Sequence, residues 1–291
     1  DVFWGPSHRL PRFLSSRIAR VVTIHDLVWK CAKETMYPAT YFLEKIQMPV
    51  AVRKADLIVA DTYSTRDSVI TEFDVKPQNI SVIPLAASNI QNIPSFDFLE
   101  KYDIDGLYFL FVGTLEPRKN LTRLLQAYDS LPLSIKGKMK LVIVGGKGWG
   151  EVNLLDTITQ LDLTEYVKVL GYVDDATLAT LYSNAQFLVM PSLYEGFGLP
   201  LVEAMSYGTP VLTANNSSMP EVTGNAGLLV DALDVESIAD GLQEMITNNE
   251  LRERLAKNAK LNAARYSWDE SAKKLITVFE KAIDLRKDKL A

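Results

Sequence analysis

From residue 108 onward, short runs of continuous apolar, β-branched residues alternate with amphipathic stretches of helical length, and few folds accommodate that alternation. Strands are predicted over 108–113, 140–145, 167–170, 187–190, 210–213 and 227–230, with helices over 121–131, 153–161, 176–183 and 200–207. A strand that is apolar on both sides must be covered on both faces, and the helical segments between strands supply the cover as crossovers. The pattern therefore predicts βαβ units and a Rossmann-like domain with a parallel sheet. The first part of the chain repeats it on a smaller scale, with strands over 21–24, 56–60 and 80–84 and helices over 41–54 and 64–73. Three or four strands make a thin sheet for a doubly wound domain. The stretch 86–106, rich in Ser, Asn, Pro and Asp, reads as a linker. After Tyr266-Ser267-Trp268 a charged amphipathic helix runs to the end, a solvated face with one buried stripe.

At 291 residues the chain has room for two domains of ordinary size. A net charge of −5 implies no strongly basic face and speaks against a nucleic-acid partner. A single cysteine, Cys31, can form no intramolecular disulfide, so a reducing compartment is expected and Cys31 reads as a structural thiol. No apolar run reaches the roughly 18 residues of a membrane span, and no signal peptide is visible. The chain enters an apolar stretch, Val2-Phe3-Trp4, directly after Asp1, a start expected of a fragment of something longer.

Two segments carry the chemistry. The first is Pro191-Ser192-Leu193-Tyr194-Glu195-Gly196-Phe197-Gly198-Leu199-Pro200-Leu201-Val202-Glu203-Ala204-Met205. It leaves a buried strand, turns through two glycines and enters a helix with Pro200 near its start. Amides at such a start favour an anion, and Gly196 and Gly198 are expected to admit a ligand close to the main chain. Glu195 in the loop and Glu203, expected in the first helical turn, would repel a phosphate but accept from hydroxyls, so the pair points to a ligand with both phosphate and sugar. An isolated first-turn acid more often serves only the helix dipole. The spacing of two acids on one glycine-flanked turn favours function.

The second segment, Val112-Gly113-Thr114-Leu115-Glu116-Pro117-Arg118-Lys119-Asn120, lies at the carboxyl end of its strand, where ligands bind in open α/β sheets. Arg118 and Lys119 can neutralise a diphosphate there, Arg by its fork and Lys as a point charge. The glycine-rich stretch 145–150 follows the next strand and is either a further close-approach loop or, as glycines after a strand more often are, turn chemistry. Of the two histidines, His25 ends a strand in Thr23-Ile24-His25-Asp26, with Asp26 available to influence its state, and His8 earns no role.

These segments, in this order and spacing, resemble glycosyltransferase family 4: the His-Asp strand end, Glu-Pro-Arg-Lys-Asn at 116–120, and Glu-x7-Glu at Glu195 and Glu203. The resemblance implies an α/β GT-B fold, two Rossmann-like domains with parallel sheets around a cleft, and a retaining, metal-independent hexosyltransferase without a cofactor. It divides the chain into an acceptor-side domain at 1–88, a linker at 89–106, a nucleotide-sugar domain at 107–267 and a terminal helix at 268–291 that packs back on the first domain. Arg118 and Lys119, at the strand end with Gly113 and Thr114, would hold the donor diphosphate, and Glu203 the ribose. Glu195 and Gly196, with the amides of Phe197, Gly198 and Leu199, would hold the hexose and phosphate. His25 would contact the hexose near its reacting carbon, and Gly171, Tyr172 and Val173 would lie against the nucleobase. No Asp-x-Asp metal pair stands between the motifs, so no metal site is expected.

Within the family the motifs look most like bacterial polysaccharide mannosyltransferases, which implies GDP-mannose as donor and a glycan or lipid-linked acceptor, in the cytoplasm or at the inner face of the membrane. A UDP-sugar donor and a fragment that binds a nucleotide sugar without turnover stand as alternatives; of other enzymes on this fold, epimerases lack the combination of Arg118-Lys119 with Glu195, and phosphorylases need a cofactor lysine for which no motif is visible. The sequence departs from the family in three places. The first strands of the first domain are missing before Asp1, so the truncated sheet is expected to be covered by a partner chain or a neighbour. Ala86 and Ala87 replace a usual Gly, and Asp61 stands where Ser is common.

Overall fold

The structure, a computed structural model, describes residues 1–88, 102, 104–150 and 153–290, so the expected linker falls largely outside the described residues. The chain divides into two compact units. The first comprises Asp1–Leu85, Tyr194–Phe197 and Tyr266–Ala291, the second Ala86–Leu193 and Gly198–Arg265. The residues Tyr194–Phe197, expected within the domain at 107–267, thus group with the first unit.

The first unit is built on four parallel strands, β1 (Val2–Gly5), β2 (Ala19–Ile24), β3 (Leu57–Ala60) and β4 (Ile80–Val82), in the order β1-β2-β3-β4. The apolar Val2-Phe3-Trp4 is strand β1, paired with Ala19, Arg20 and Val21 of β2. Alternate residues of the strands face opposite sides, and each side has its own core. Val22, Ile24, Ile58 and Ala60 pack with Met48, Val52 and Val69 from the helices Pro38–Lys54 and Tyr63–Phe73. Ala19, Val21, Leu57 and Val59 pack with Val278 and Ala282 of the terminal helix Trp268–Asp288. That helix starts with Ser267 as its cap and Asp269 and Glu270 in its first turn, and ends with Arg286 and Lys287, all placed to suit its dipole. Ser271 anchors it by donating to the Pro84 carbonyl at 2.6 Å.

The second unit holds six parallel strands, β5 (Tyr108–Val112), β6 (Lys140–Val144), β7 (Val167–Gly171), β8 (Leu188–Met190), β9 (Val211–Ala214) and β10 (Gly227–Val230), in the order β10-β9-β8-β5-β6-β7. Every one of the six lies where the apolar runs predicted it. The helices Leu121–Ser130, Leu154–Gln160, Asp175–Asn184 and Leu199–Ser206 also match, whereas Val235–Thr247 and Asn249–Ala263 were not anticipated. The core is dense with aromatics: Phe109 stacks on Phe187 at 5.0 Å and meets the edge of Tyr128 at 5.2 Å. In both units the segments singled out from the sequence follow the carboxyl ends of parallel strands, the ligand-binding end of such sheets.

Candidate active site

In the second unit the chain leaves β5 at Gly113 and meets the chain leaving β6 at Gly145. A Cβ on Gly145 would lie 1.8 Å from the Gly113 carbonyl oxygen, and both residues hold positive φ, so glycine is required for this crossing. The two loops then run side by side: Leu115 N–H donates to Gly146 O at 3.0 Å and Gly148 N–H to Leu115 O at 3.1 Å, with Thr114 against Gly148. The stretch 145–150, which the sequence leaves between turn chemistry and a close-approach loop, is the partner that shapes the loop of Gly113 and Thr114.

Pro117 opens a single 3-10 turn, Pro117–Lys119, which ends at Asn120 in the left-handed region. Within it the two cations separate. Lys119 is buried and its aliphatic stem lies over Gly113, 3.3 Å from where a Cβ would stand. Arg118 turns to Glu116, whose Oε1 accepts from Nε at 3.1 Å and from Nη2 at 2.6 Å. Glu116 thus engages the guanidinium. Asn120 is a residue the sequence reading passed over: its side-chain amide donates to the carbonyls of Pro191 at 2.9 Å and Ala232 at 2.7 Å. With Leu193 N–H donating to Arg118 O at 2.8 Å, it ties this turn to the segment after β8.

Gly198, at φ 91°, caps the helix Leu199–Ser206, with Pro200 in its first turn and no side-chain cap on its amides. Glu203 is the fifth residue of that helix, in the second turn rather than the first, so the dipole account fails and another takes its place. Burial pushes its carboxyl above the usual range, while the Tyr182 hydroxyl, donating to Oε2 at 2.8 Å, holds it down. Tyr182 stacks in turn on Tyr207 at 5.9 Å. Gly171 ends the edge strand β7 with φ 72°, and after it Tyr172 projects into solvent while Val173 is buried.

The remaining predicted residues, His25, Glu195, Gly196 and Phe197, belong to the first unit. Gly196 does not stand open to a ligand as expected: a Cβ there would meet His25 O at 2.1 Å and Asp26 Cβ at 2.8 Å, so the glycine serves protein packing. The Gly196 carbonyl accepts from Thr62 Oγ1 at 3.0 Å and Thr65 Oγ1 at 3.2 Å, and Tyr194 Oη accepts from Leu27 N–H at 3.2 Å. Phe197 meets Tyr266 edge-on at 5.6 Å. Glu195 is buried in this segment, next to the residue that touches His25.

His25 pairs with Asp61, not with the adjacent Asp26: Nδ1 stands 2.6 Å from Asp61 Oδ2, and Nε2 stands 2.7 Å from Pro6 O. Asp61 raises the His25 pKa above the ordinary histidine value against the opposing effect of burial. Burial also pushes Asp61 upward, while His25 pulls it down. The proton belongs on His25, because Asp61 directly precedes Thr62, the cap of the helix Tyr63–Phe73, whose positive end favours a carboxylate. Asp26 instead accepts from Val28 N–H at 3.1 Å and shapes the turn. His8 has the role the sequence reading denied it: its Nε2 accepts from His25 N–H at 3.0 Å and its Nδ1 faces Glu44 Oε2 at 3.1 Å. His25 and Asp61 both line a pocket of about 470 Å³ within the first unit, beside Trp4 and Trp268. Among the described residues no three His, Cys, Asp or Glu side chains are grouped as a metal site requires, and no helix is long and apolar enough to cross a membrane.

The family described as glycosyl transferases group 1 matches residues 97–262. O-antigen chain mannosyltransferase B of Escherichia coli is 33% identical over 285 residues, covering 96% of this chain and 74% of that protein. Serotype-specific mannosyltransferase WbdA of Escherichia coli is 28% identical over 283 residues, covering 92% of this chain but 34% of that protein, so the chain spans about a third of that relative's length. Among solved structures, sucrose-phosphate synthase from Thermosynechococcus elongatus shares the fold with a TM-score of 0.75 at 22% identity, over 91% of this chain and 68% of that one. With two parallel-sheet units, the sequence motifs at their strand ends and these relatives, the chain belongs to the glycosyl transferases group 1 and is a glycosyltransferase of the GT-B fold.

Proposed function

We propose that the chain is a retaining hexosyltransferase that moves mannose from GDP-mannose to a growing surface polysaccharide on a glycan or lipid-linked acceptor. The observation that carries the reading is the 33% identity with an O-antigen chain mannosyltransferase over 285 residues. In this reading Lys119, with Arg118, neutralises the donor diphosphate, and Glu203 accepts from the ribose hydroxyls. Glu195, beside Gly196 and with the amides of Phe197, Gly198 and Leu199, holds the hexose and its phosphate. His25 faces the hexose, and Gly171, Tyr172 and Val173 lie against the base. The acceptor oxygen attacks the anomeric carbon on the face the phosphate leaves, the carbon–phosphate oxygen bond breaks, and the hydroxyl proton passes to the departing phosphate oxygen. Such a step depends on positioning and charge stabilisation. In this reading the acceptor is presented in the cytoplasm or at the inner face of the membrane.

Titration calorimetry with GDP-mannose, UDP-glucose and UDP-N-acetylglucosamine, alongside a turnover assay, tests the donor: GDP-mannose is expected to bind and turn over, and a preference for either UDP sugar rejects it. Lys119→Ala and Glu195→Ala are each expected to lower kcat/KM by about 100-fold or more while the fold persists. Wild-type transfer by both variants would sink the assignment of these residues.

A further inference from the structure

Two oxygens face the His25 ring, Asp61 Oδ2 at Nδ1 and the Pro6 carbonyl at Nε2. A carbonyl oxygen only accepts, so Nε2 carries a proton. With Asp61 ionised beside a helix start, Nδ1 carries one as well. The backbone of His25 is held too: its N–H donates to His8 Nε2, which leaves His8 as the Nδ1–H tautomer donating to Glu44. Asp61 is 2% exposed, so the carboxylate facing the ring is shielded from water. The other ionisable groups around His25 are Asp26 on the same turn, His8 beneath it, and Glu195 on the segment whose Gly196 abuts the His25 carbonyl. Asp26 favours a cation at His25 as Asp61 does.

We propose that Asp61 is a positioning residue for sugar transfer, holding His25 as an imidazolium with both N–H groups engaged, so that His25 acts as a fixed positive charge and not as a proton acceptor. The proposal rests on the reading of His25 as the hexose-facing residue. A general base needs a ring nitrogen with a free lone pair, and here neither nitrogen has one. The acceptor's proton therefore goes to the leaving phosphate, and His25 contributes a charge opposite to that of the donor. Asp61 acts through the ring alone, by setting its protonation and its orientation.

The chain has only two histidines, so imidazole nitrogen NMR on the whole protein reads the pair directly. The wild-type His25 is expected to titrate above the ordinary histidine range with both nitrogens protonated at neutral pH. In Asp61→Asn its midpoint is expected to fall by about 1–3 units, and Asp61→Ser, which removes the carboxylate with a smaller side chain, is expected to do the same. In the turnover assay, wild-type kcat is expected to decline as pH rises through the His25 midpoint. In Asp61→Asn that decline moves down by the same interval, while KM for the donor changes little. A His25 midpoint unmoved in both variants overturns the pairing whether or not the protein transfers sugar. A moved midpoint with an unmoved kcat profile overturns the positioning role. Wild-type turnover by His25→Gln overturns the assignment of His25 to transfer, and the NMR titration still reads its pairing with Asp61.

Discussion

The Glu203 carboxyl is largely withdrawn from water, and its charge state is set by opposing influences. Burial raises its pKa, the Tyr182 hydroxyl opposes the rise and the charge of Asp175 adds to it. A carboxyl whose pKa is higher in the folded than in the unfolded chain contributes most to stability below the unfolded value. That contribution is lost as pH rises through the folded value. At pH 7, above the unfolded value, the raised carboxyl of Glu203 therefore works against folding. Glu203→Gln is expected to raise the thermal midpoint at pH 7 by about 2–4 °C and to weaken nucleotide-sugar binding, as read by scanning calorimetry and by titration with the donor. A lower midpoint would mean that the Tyr182 bond outweighs burial. The position of Glu203 in the second turn could have been read by counting from Gly198, since a glycine before Leu199-Pro200 is an ordinary helix cap.

At the scale of elements, the loop after β5 is held by contacts that propensities do not reveal. Asn120 sits in the left-handed region at φ 62° and its amide serves two buried carbonyls from distant parts of the chain. Asn120→Ala leaves both carbonyls without this donor and replaces an asparagine, whose side chain tolerates the left-handed region, with an alanine that tolerates it less well. The expected loss is about 2–4 kcal/mol in urea unfolding of the second unit. Asn120→Gly, which keeps the backbone geometry, is expected to lose less. Equal losses in the two variants would assign the whole effect to the amide. The Glu-Pro-Arg-Lys-Asn run stood out as a candidate site because of its place at a strand end. That Asn120 pins it and Glu116 engages Arg118 was not, because both depend on where the side chains meet after folding.

At the scale of the whole molecule each unit carries its own core, and the terminal helix Trp268–Asp288 closes one face of the first. Polar contacts join that helix to the sheet at Asp56, which is almost fully buried. Burial alone would raise the Asp56 carboxyl, but Lys289 at 3.0 Å, Arg286 and the Arg20 N–H more than offset this and hold it below the usual carboxylate range. A depressed carboxyl contributes stability that is present above its unfolded pKa and lost as pH falls through the folded one. Wild type is therefore expected to exceed Asp56→Asn in stability by an amount that is constant above about pH 5 and shrinks below about pH 4, as read by thermal melts across pH. A difference independent of pH would show that the charge on Asp56 is not what ties the helix down.

The apolar runs by themselves determined the strands of both sheets beyond β1, their parallel arrangement and the loops that could carry a site, because burial on two faces leaves its mark in local composition. The helices Val235–Thr247 and Asn249–Ala263 were equally legible, with Asp234 and Asn248 as their caps and Ile238, Leu242, Met245 and Ile246 spaced for one buried face. Only the tertiary structure decided who meets whom. Asp61, not the adjacent Asp26, faces His25 because β2 and β3 lie side by side in register, Ile24 opposite Ala60. His8 reaches the same residue because β1 pairs with β2. Gly196 is a glycine because the His25 carbonyl occupies the space its side chain would need. These pairings join residues far apart in the chain, and a hydrogen bond between such groups is set by strand order and register, which no local pattern records.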